Sequence, residues 1–279
     1  MSVEKIDRYE IERKLGVGGM AEVFLAQDPY MKRRVALKIL PYDLTTKELY
    51  QELFQREAEV IAALEHPCIV PIYDFGQYGN QPYFVMRYMR GGSLEDKILE
   101  QKMDPRPLAK IVERVADGLD AAHKLGVIHR DVKPSNILFD DDGKALLADF
   151  GMAKSLHHSS GQTIGKILGT PEYMSPEQVS NEELDGRSDV YALGVVLYCA
   201  LTGAAPYRNE SPLAIAVAHV KGAIPNILEA RPDLEPSWDE VIQKAMAKAR
   251  EDRYATAVEL ARDVSEIASG RWFMRKLVD

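Results

Sequence analysis

Eight residues, His129-Arg130-Asp131-Val132-Lys133-Pro134-Ser135-Asn136, place a carboxylate, two cations, an imidazole and an amide on one short loop. Apolar residues flank it, Val127-Ile128 before and Ile137-Leu138-Phe139 after, and such flanks predict strands entering a core. Polar groups held so close to a core cost free energy unless each has a partner or a task. The residue types suit a group transfer. Asp131 can accept or orient the proton of a substrate hydroxyl. Lys133, two residues on, can neutralise charge on a phosphoryl group in transit. Pro134 stiffens the loop, and Asn136 offers a neutral oxygen to a metal ion. Asp149-Phe150-Gly151 follows the strand-like KALLA and supplies a second oxygen ligand, with Gly151 permitting a sharp change of direction. Mg²⁺ takes oxygen ligands, commonly one or two carboxylates plus substrate phosphates, and Asn136 and Asp149 match that requirement. Alone, Asp-Phe-Gly reads as a turn; one hairpin after Asn136, it reads as a partner.

A second constellation lies near the N-terminus. In Leu15-Gly16-Val17-Gly18-Gly19-Met20-Ala21-Glu22-Val23 the glycines allow a tight hairpin whose backbone N–H groups can approach phosphate oxygens. The run departs from G-x-G-x-x-G at Ala21, and the strand that follows argues against a dinucleotide fold, where a helix would follow. Lys38 ends the apolar strand Val35-Ala36-Leu37. Leu49, Leu53, Glu57 and Ile61 recur at i+4 spacing, which sets Glu57 on an apolar helical stripe. Two opposite charges facing a core are best explained by a Lys38–Glu57 pair. Removing either partner of such a pair costs roughly 3–5 kcal/mol.

The elements that must hold these residues follow from periodicity. YEIERKL, AEVFLAQ, RRVALKIL, CIVPIYDFG and PYFVMRYM predict strands, and residues 46–65 predict a helix among them. After Gly91-Gly92 helices dominate, predicted at 105–125, 188–202, 211–221, 235–249 and 255–268. The class is α+β, a β-rich portion with one helix and a mainly helical portion, with a ligand cleft expected between two lobes. The uncharged run 190–207 contains Thr202, Gly203 and Pro206. It leaves about a dozen helical residues, fewer than the ~20 a bilayer needs, so it reads as a buried core helix.

Bulk properties agree. The chain has 279 residues, 46% hydrophobic and 28% charged, with a formal net charge of -8. That charge argues against a general nucleic-acid or anionic-membrane binder. Cys68 and Cys199 read as buried free thiols in a reducing compartment. The N-terminus MSVEKIDRYE lacks the apolar core of a secretory signal.

In this order, the glycine loop, Lys38, Glu57, HRDVKPSN, DFG, GTPEYMSPE and Ser188-Asp189-Val190-Tyr191 form a known signature set. From about Tyr9 to Ala268 the chain resembles the eukaryotic-like (Hanks-type) serine/threonine protein kinases, and GVGGMAEVFLAQD with EYMSPEQ looks most like their bacterial members. The resemblance implies a two-lobed kinase fold, with an N-lobe over 1–88, a C-lobe over 89–269 and a tail over 270–279. It implies ATP as co-substrate, Mg²⁺ with Mn²⁺ as the alternative, and Lys38, Glu57, Asp131 and Lys133 as catalytic residues. The glycine loop from Leu15 to Val23 would cover the phosphates. Val23, Ala36 and Leu138 would sandwich adenine, Met86 would be the gatekeeper, and Arg87-Tyr88-Met89 the hinge, with Ser93 near the ribose. Arg87 departs from the acidic residue often found there, which backbone recognition tolerates. Glu177, in Ser175-Pro176-Glu177 where Ala-Pro-Glu is usual, would pair with Arg253. Asp189 would anchor the catalytic-loop backbone, and Thr170 would contact Asp131 and Lys133.

Lys133 and Thr170 are the serine/threonine form of the loop, so protein Ser/Thr hydroxyls are the implied acceptors. A nucleotide-binding scaffold without transfer is disfavoured by the full set Lys38, Glu57, Asp131, Asn136 and Asp149. A small-molecule kinase is disfavoured by the segment from Gly151 to Glu177. Residues 152–168 show no sustained period and read as a mobile activation segment carrying Ser155, Ser159, Ser160 and Thr163. Thr163 is the favoured autophosphorylation site, between Gly161 and Gly165, with Ser159 and Ser160 as alternatives. A phosphate there adds about -1.5 to -2 charge for an arginine such as Arg130 to hold. His157-His158 read as solvated loop residues. A homodimer for autophosphorylation in trans is an allowed partner, and no nucleic acid is expected. The expected location is cytoplasmic, alone or as the catalytic part of a larger membrane-anchored kinase.

Overall fold

The computed structural model describes residues 5–18, 21–40, 55, 58–79, 81–150 and 170–272. Glu57, Gly19, Met20, Gly151, His157, His158, Ser155, Ser159, Ser160 and Thr163 lie outside them, as does most of the 46–65 helix; residues 58–62 are helical. The described residues form two compact units, one reaching Arg90 and one comprising Gly91–Phe150 with Thr170 onward.

The first unit is a six-stranded antiparallel sheet: β1 (Lys5–Ile6), β2 (Tyr9–Gly18), β3 (Ala21–Asp28), β4 (Arg33–Ile39), β5 (Ile72–Tyr78) and β6 (Gln81–Arg87), in the order β1-β2-β3-β4-β6-β5. Side chains alternate across a strand, and the register shows which go where. Phe24, Ala26, Val35, Leu37, Ile39, Tyr83 and Val85 pack into one buried cluster with Ile6 and Tyr9. Lys38 pairs with Val23 and Phe84, and Ala36 with Met86. Val23, Ala36, Lys38 and Met86 therefore share the opposite face of the sheet. The strand expected over CIVPIYDFG begins only at Ile72. Ile69 N turns back to His66 O, and Pro71, which has no N–H to give a ladder, marks the entry.

The second unit is mainly helical: α1 (Leu94–Glu100), α2 (Pro105–His123), α3 (Pro176–Ser180), α4 (Gly186–Thr202), α5 (Pro212–Lys221), α6 (Ile227–Ala230), α7 (Ser237–Ala245) and α8 (Ala257–Ala268), with one small hairpin of β7 (Ile137–Phe139) and β8 (Ala145–Leu147). Every residue of α4 from Ser188 to Thr202 is buried, which is why the run from Val190 to Leu201 carries no charge on any face. α2 and α8 pack beside it. Among the described residues no helix is long and apolar enough to cross a membrane. Cys68 and Cys199 are buried and free.

Val127-Ile128 form no strand, contrary to the sequence expectation. Their neighbourhood uses its backbone groups elsewhere. Val127 N donates to Ala122 O at the end of α2, and the next amides turn to a side chain. Three helices have no counterpart in the sequence expectation, α1 and the short α3 and α6, and the start of α1 is fixed by Ser93. Its Oγ accepts from Asp96 N while Asp96 Oδ2 accepts from Ser93 N, a capping box.

Candidate functional site

Asp189 lies in the first turn of α4 and is 1% exposed. One of its oxygens accepts from His129 N at 2.8 Å and from His123 Nε2 at 2.7 Å; the other accepts from Arg130 N at 2.9 Å. Burial opposes its charge, but these donors outweigh it and hold the carboxyl below its ordinary range. His123 closes the last turn of α2 and also faces Asp120 at 3.7 Å. Burial works against its charge as well, yet the two carboxylates push it up to about 9. Gly186 makes room for this ring, because a Cβ there would stand 2.6 Å from His123 Nδ1.

Between these anchors the loop takes a conformation few residues adopt. Arg130 has φ +65°, in the left-handed region that costs about 1–3 kcal/mol for a residue with a side chain. Its N–H is held by Asp189 and its carbonyl accepts from Gln178 Nε2 at 2.8 Å. His129 is fully buried, and burial keeps its imidazole neutral. Its Nδ1 accepts from Asp131 N at 3.2 Å and its Nε2 donates to Ala148 O at 2.9 Å. One ring thus ties the backbone of Asp131 to the residue before Asp149.

The hairpin explains the other half of that proximity. Ile137 pairs with Leu147, and Ala148 N donates to Asn136 O at 2.8 Å, so Asn136 and Asp149 leave the same end of the β7–β8 ladder. Asp149 itself has φ +60°. The change of direction assigned to Gly151 lies outside the described residues.

Within the loop, Lys133 Nζ lies 2.9 Å from Asp131 Oδ2 and 3.5 Å from Thr170 Oγ1. Asn136 is 5% exposed and gives its amide nitrogen to Asp131 O at 2.8 Å and Asp131 Oδ2 at 3.0 Å. Its amide oxygen is the atom left for a cation. Leu138 stands on β7, and its backbone bridges to Ser93. Ser93 Oγ also contacts Asp96 Oδ2 at 2.7 Å, so its hydroxyl serves the cap of α1.

Behind the loop lies an ion pair. Glu177, in α3, receives Arg253 NH1 at 2.7 Å and NH2 at 2.8 Å, and Ser188 Oγ at 2.6 Å. Burial raises the Glu177 carboxyl, but the Arg253 and Ser188 bonds overcome this and bring it down to about 2. Arg253 also donates to the carbonyls of Ala247, Lys248 and Arg187, which satisfies a buried guanidinium.

In the sheet unit, Gly18 pairs with Ala21 and Gly16 with Val23, which makes the glycine run a hairpin. Leu15 sits at an irregularity of β2, and Glu22 pairs with Lys14 at 2.6 Å. Arg87 ends β6, and Tyr88 and Met89 follow it, with Met89 buried.

Sequence reasoning assigned no role to His123 or Gln178. Both had a signal: His123 is a basic residue at a helix C-terminus, and Ser175-x-x-Gln178 is a capping-box spacing.

A model of the protein kinase domain matches residues 9–272. Serine/threonine-protein kinase PknB of Mycolicibacterium smegmatis is 40% identical over 272 residues, 95% of this chain and 44% of that protein. PknB of Mycobacterium leprae is 40% identical over 271 residues, again 95% and 44%. The chain thus spans less than half the length of these curated relatives. Among solved structures, the Mycobacterium tuberculosis PknI kinase domain is similar with a TM-score of 0.76 at 31% identity, covering 94% of this chain and 96% of that one.

Proposed function

The chain belongs to the protein kinase family, and from that premise we propose that it transfers the γ-phosphate of ATP to serine and threonine hydroxyls of proteins. The observation that carries the reading is the cluster of Asp131, Lys133 and Asn136 on a loop whose backbone is fixed at both ends, with Thr170 of the segment before Pro171 reaching Lys133. Transfer of this kind needs positioning and charge neutralisation more than covalent chemistry. Asp131 receives the hydroxyl proton, and Lys133 holds positive charge where the phosphoryl group passes. Lys38, paired with Glu57, positions ATP phosphates. Val23, Ala36 and Leu138 sandwich the base with Met86 as gatekeeper, the backbone of Arg87-Tyr88-Met89 recognises it, and the glycine loop from Leu15 covers the phosphates.

The family works with ATP and a divalent metal ion. Asn136 and Asp149 fit a hard cation, since both offer oxygen and the nitrogen of Asn136 is committed to Asp131. We assign them Mg²⁺, with Mn²⁺ as the alternative. When bound, the metal neutralises charge on phosphate oxygens. We further propose autophosphorylation at Thr163, in trans between two copies, with Ser159 and Ser160 as lesser sites. The cytoplasm is the fitting location, because it supplies ATP and keeps thiols such as Cys68 and Cys199 reduced.

The test is incubation with ATP and Mg²⁺ or Mn²⁺, followed by phosphosite mapping by mass spectrometry. Phosphate on serine or threonine of an added protein supports the reading. Its absence with either metal overturns it.

A further inference from the structure

Gln178, in α3, uses its side chain in two directions. Its Oε1 accepts from Ser175 N at 3.0 Å, one half of a capping box whose other half is Gln178 N donating to Ser175 Oγ at 3.4 Å. Its Nε2 donates to Arg130 O at 2.8 Å, between residues 48 apart in the chain. The first contact explains why a side chain with a terminal oxygen acceptor stands three positions after Ser175. It does not explain why that residue is glutamine. Glutamate closes the same box, and its charge would gain from the positive end of the helix dipole. What glutamate lacks, once ionised, is a donor. The amide nitrogen is accounted for by Arg130 O.

That oxygen belongs to the peptide that leads into Asp131. The peptide is planar, and its two polar ends are held separately. Gln178 holds Arg130 O, and His129 Nδ1 accepts from Asp131 N at 3.2 Å. With both ends fixed, the plane has one orientation, and so has the Cα of Asp131 attached to it. Arg130 has φ +65°, a region that a residue with a side chain disfavours. Its N–H is held by Asp189, so rotation of φ back to negative values would swing its carbonyl away from Gln178. The Gln178 amide therefore opposes the relaxation of a strained residue next to the proton acceptor. Its own support is firm, because the preceding residue, Glu177, is bound by both terminal nitrogens of the Arg253 guanidinium.

We infer that Gln178 is a positioning residue for phosphotransfer, whose side-chain amide holds the Arg130–Asp131 peptide in the orientation that presents the Asp131 carboxylate to the substrate hydroxyl. The inference rests on the phosphotransfer reading and adds a residue that acts on Asp131 through the backbone. It makes the seating of α3 a determinant of turnover.

The test sets substitutions at the two ends of the capping box against each other. Gln178→Glu keeps the cap acceptor, removes the donor and sets a carboxylate oxygen against Arg130 O. Ser175→Ala removes the hydroxyl half of the cap and leaves the donor in place. With ATP, Mg²⁺ and a protein substrate, Gln178→Glu should lower kcat by roughly 10–100-fold, the scale of a slightly misplaced catalytic group. KM for ATP should stay within about twofold of the parent. Ser175→Ala should keep kcat within about twofold while lowering the urea midpoint. Gln178→Met removes the donor without adding a charge, with Ser175→Ala as the control for its lost cap, and its kcat should fall in the same direction. Parental kcat in Gln178→Glu or in Gln178→Met, or an equal loss in Ser175→Ala, overturns the inference and leaves phosphotransfer standing. A parent that phosphorylates no protein overturns the phosphotransfer reading, and the inference with it.

Discussion

Asn136 gives its side-chain nitrogen to Asp131 twice, to the backbone carbonyl at 2.8 Å and to Oδ2 at 3.0 Å. One amide therefore aims the carboxylate and turns its own oxygen outward for a metal. Asn136→Ala should remove both functions at once. We expect turnover and apparent metal affinity to fall roughly 10–100-fold together, the usual scale for groups that orient a metal site. Divalent-metal titrations of activity check this, and an unchanged half-saturating metal concentration would contradict the assignment.

Lys38 stands on the sheet face opposite the buried cluster, so its removal should leave the core intact. Lys38→Met is expected to abolish phosphoryl transfer while the chain unfolds as cooperatively as the parent. Circular dichroism with a phosphate-incorporation assay tests both halves. Substantial autophosphorylation by the variant would sink the role given to Lys38.

Glu177 and Arg253 predict a stability loss and its pH window. Arg253→Ala leaves a buried carboxylate without its main partner and should destabilise the chain by about 3–5 kcal/mol. The Glu177 carboxyl titrates at about 2 in the folded chain, below its ordinary 4.5. Its contribution is thus fully present above the unfolded value and is lost as pH falls towards 2. Glu177→Gln should consequently show less acid-induced loss of stability than the parent over that interval. Urea unfolding across the acid range measures it, and parallel curves would refute the pairing energy.

His123 carries the opposite sign. Its folded value of about 9 lies above the ordinary 6.5, so its contribution is complete below 6.5 and lost as pH rises through 9. The stability gap between the parent and His123→Gln should be widest near neutral or mildly acidic pH and close above about pH 9. A gap that widens with pH would mean that the ring is held neutral. Because His123 reaches the loop only through Asp189, the variant should also lower kcat with little change in KM for ATP.

The loop chemistry was legible because its residues are consecutive. HRDVKPSN and Asp149 announce themselves by polar groups set in apolar flanks, and the β7–β8 hairpin between them is short enough to read. The run from Val190 to Leu201 was legible as a buried helix because no charged residue interrupts it on any face. What could not be read is what long-range contacts decide. Val127-Ile128 look like a strand, but Asp189, some sixty residues away, takes the following backbone amides that a sheet would have used. The left-handed backbone at Arg130 and Asp149 leaves no trace in composition either, since neither is glycine. α1 was missed because seven residues hold too few apolar positions to show a period, although the Ser93–Asp96 cap was there to see.

The central claim is that Asp131 receives the substrate proton in a transfer of the ATP γ-phosphate. Asp131→Asn keeps the shape of the side chain and removes its basicity. The most direct measurement is kcat for a protein substrate beside the dissociation constant for ATP in this variant and the parent. The account predicts turnover lowered by roughly 10²–10⁴ with ATP affinity nearly unchanged. Nucleotide affinity lost while turnover stays intact would make Asp131 a binding residue and contradict the account.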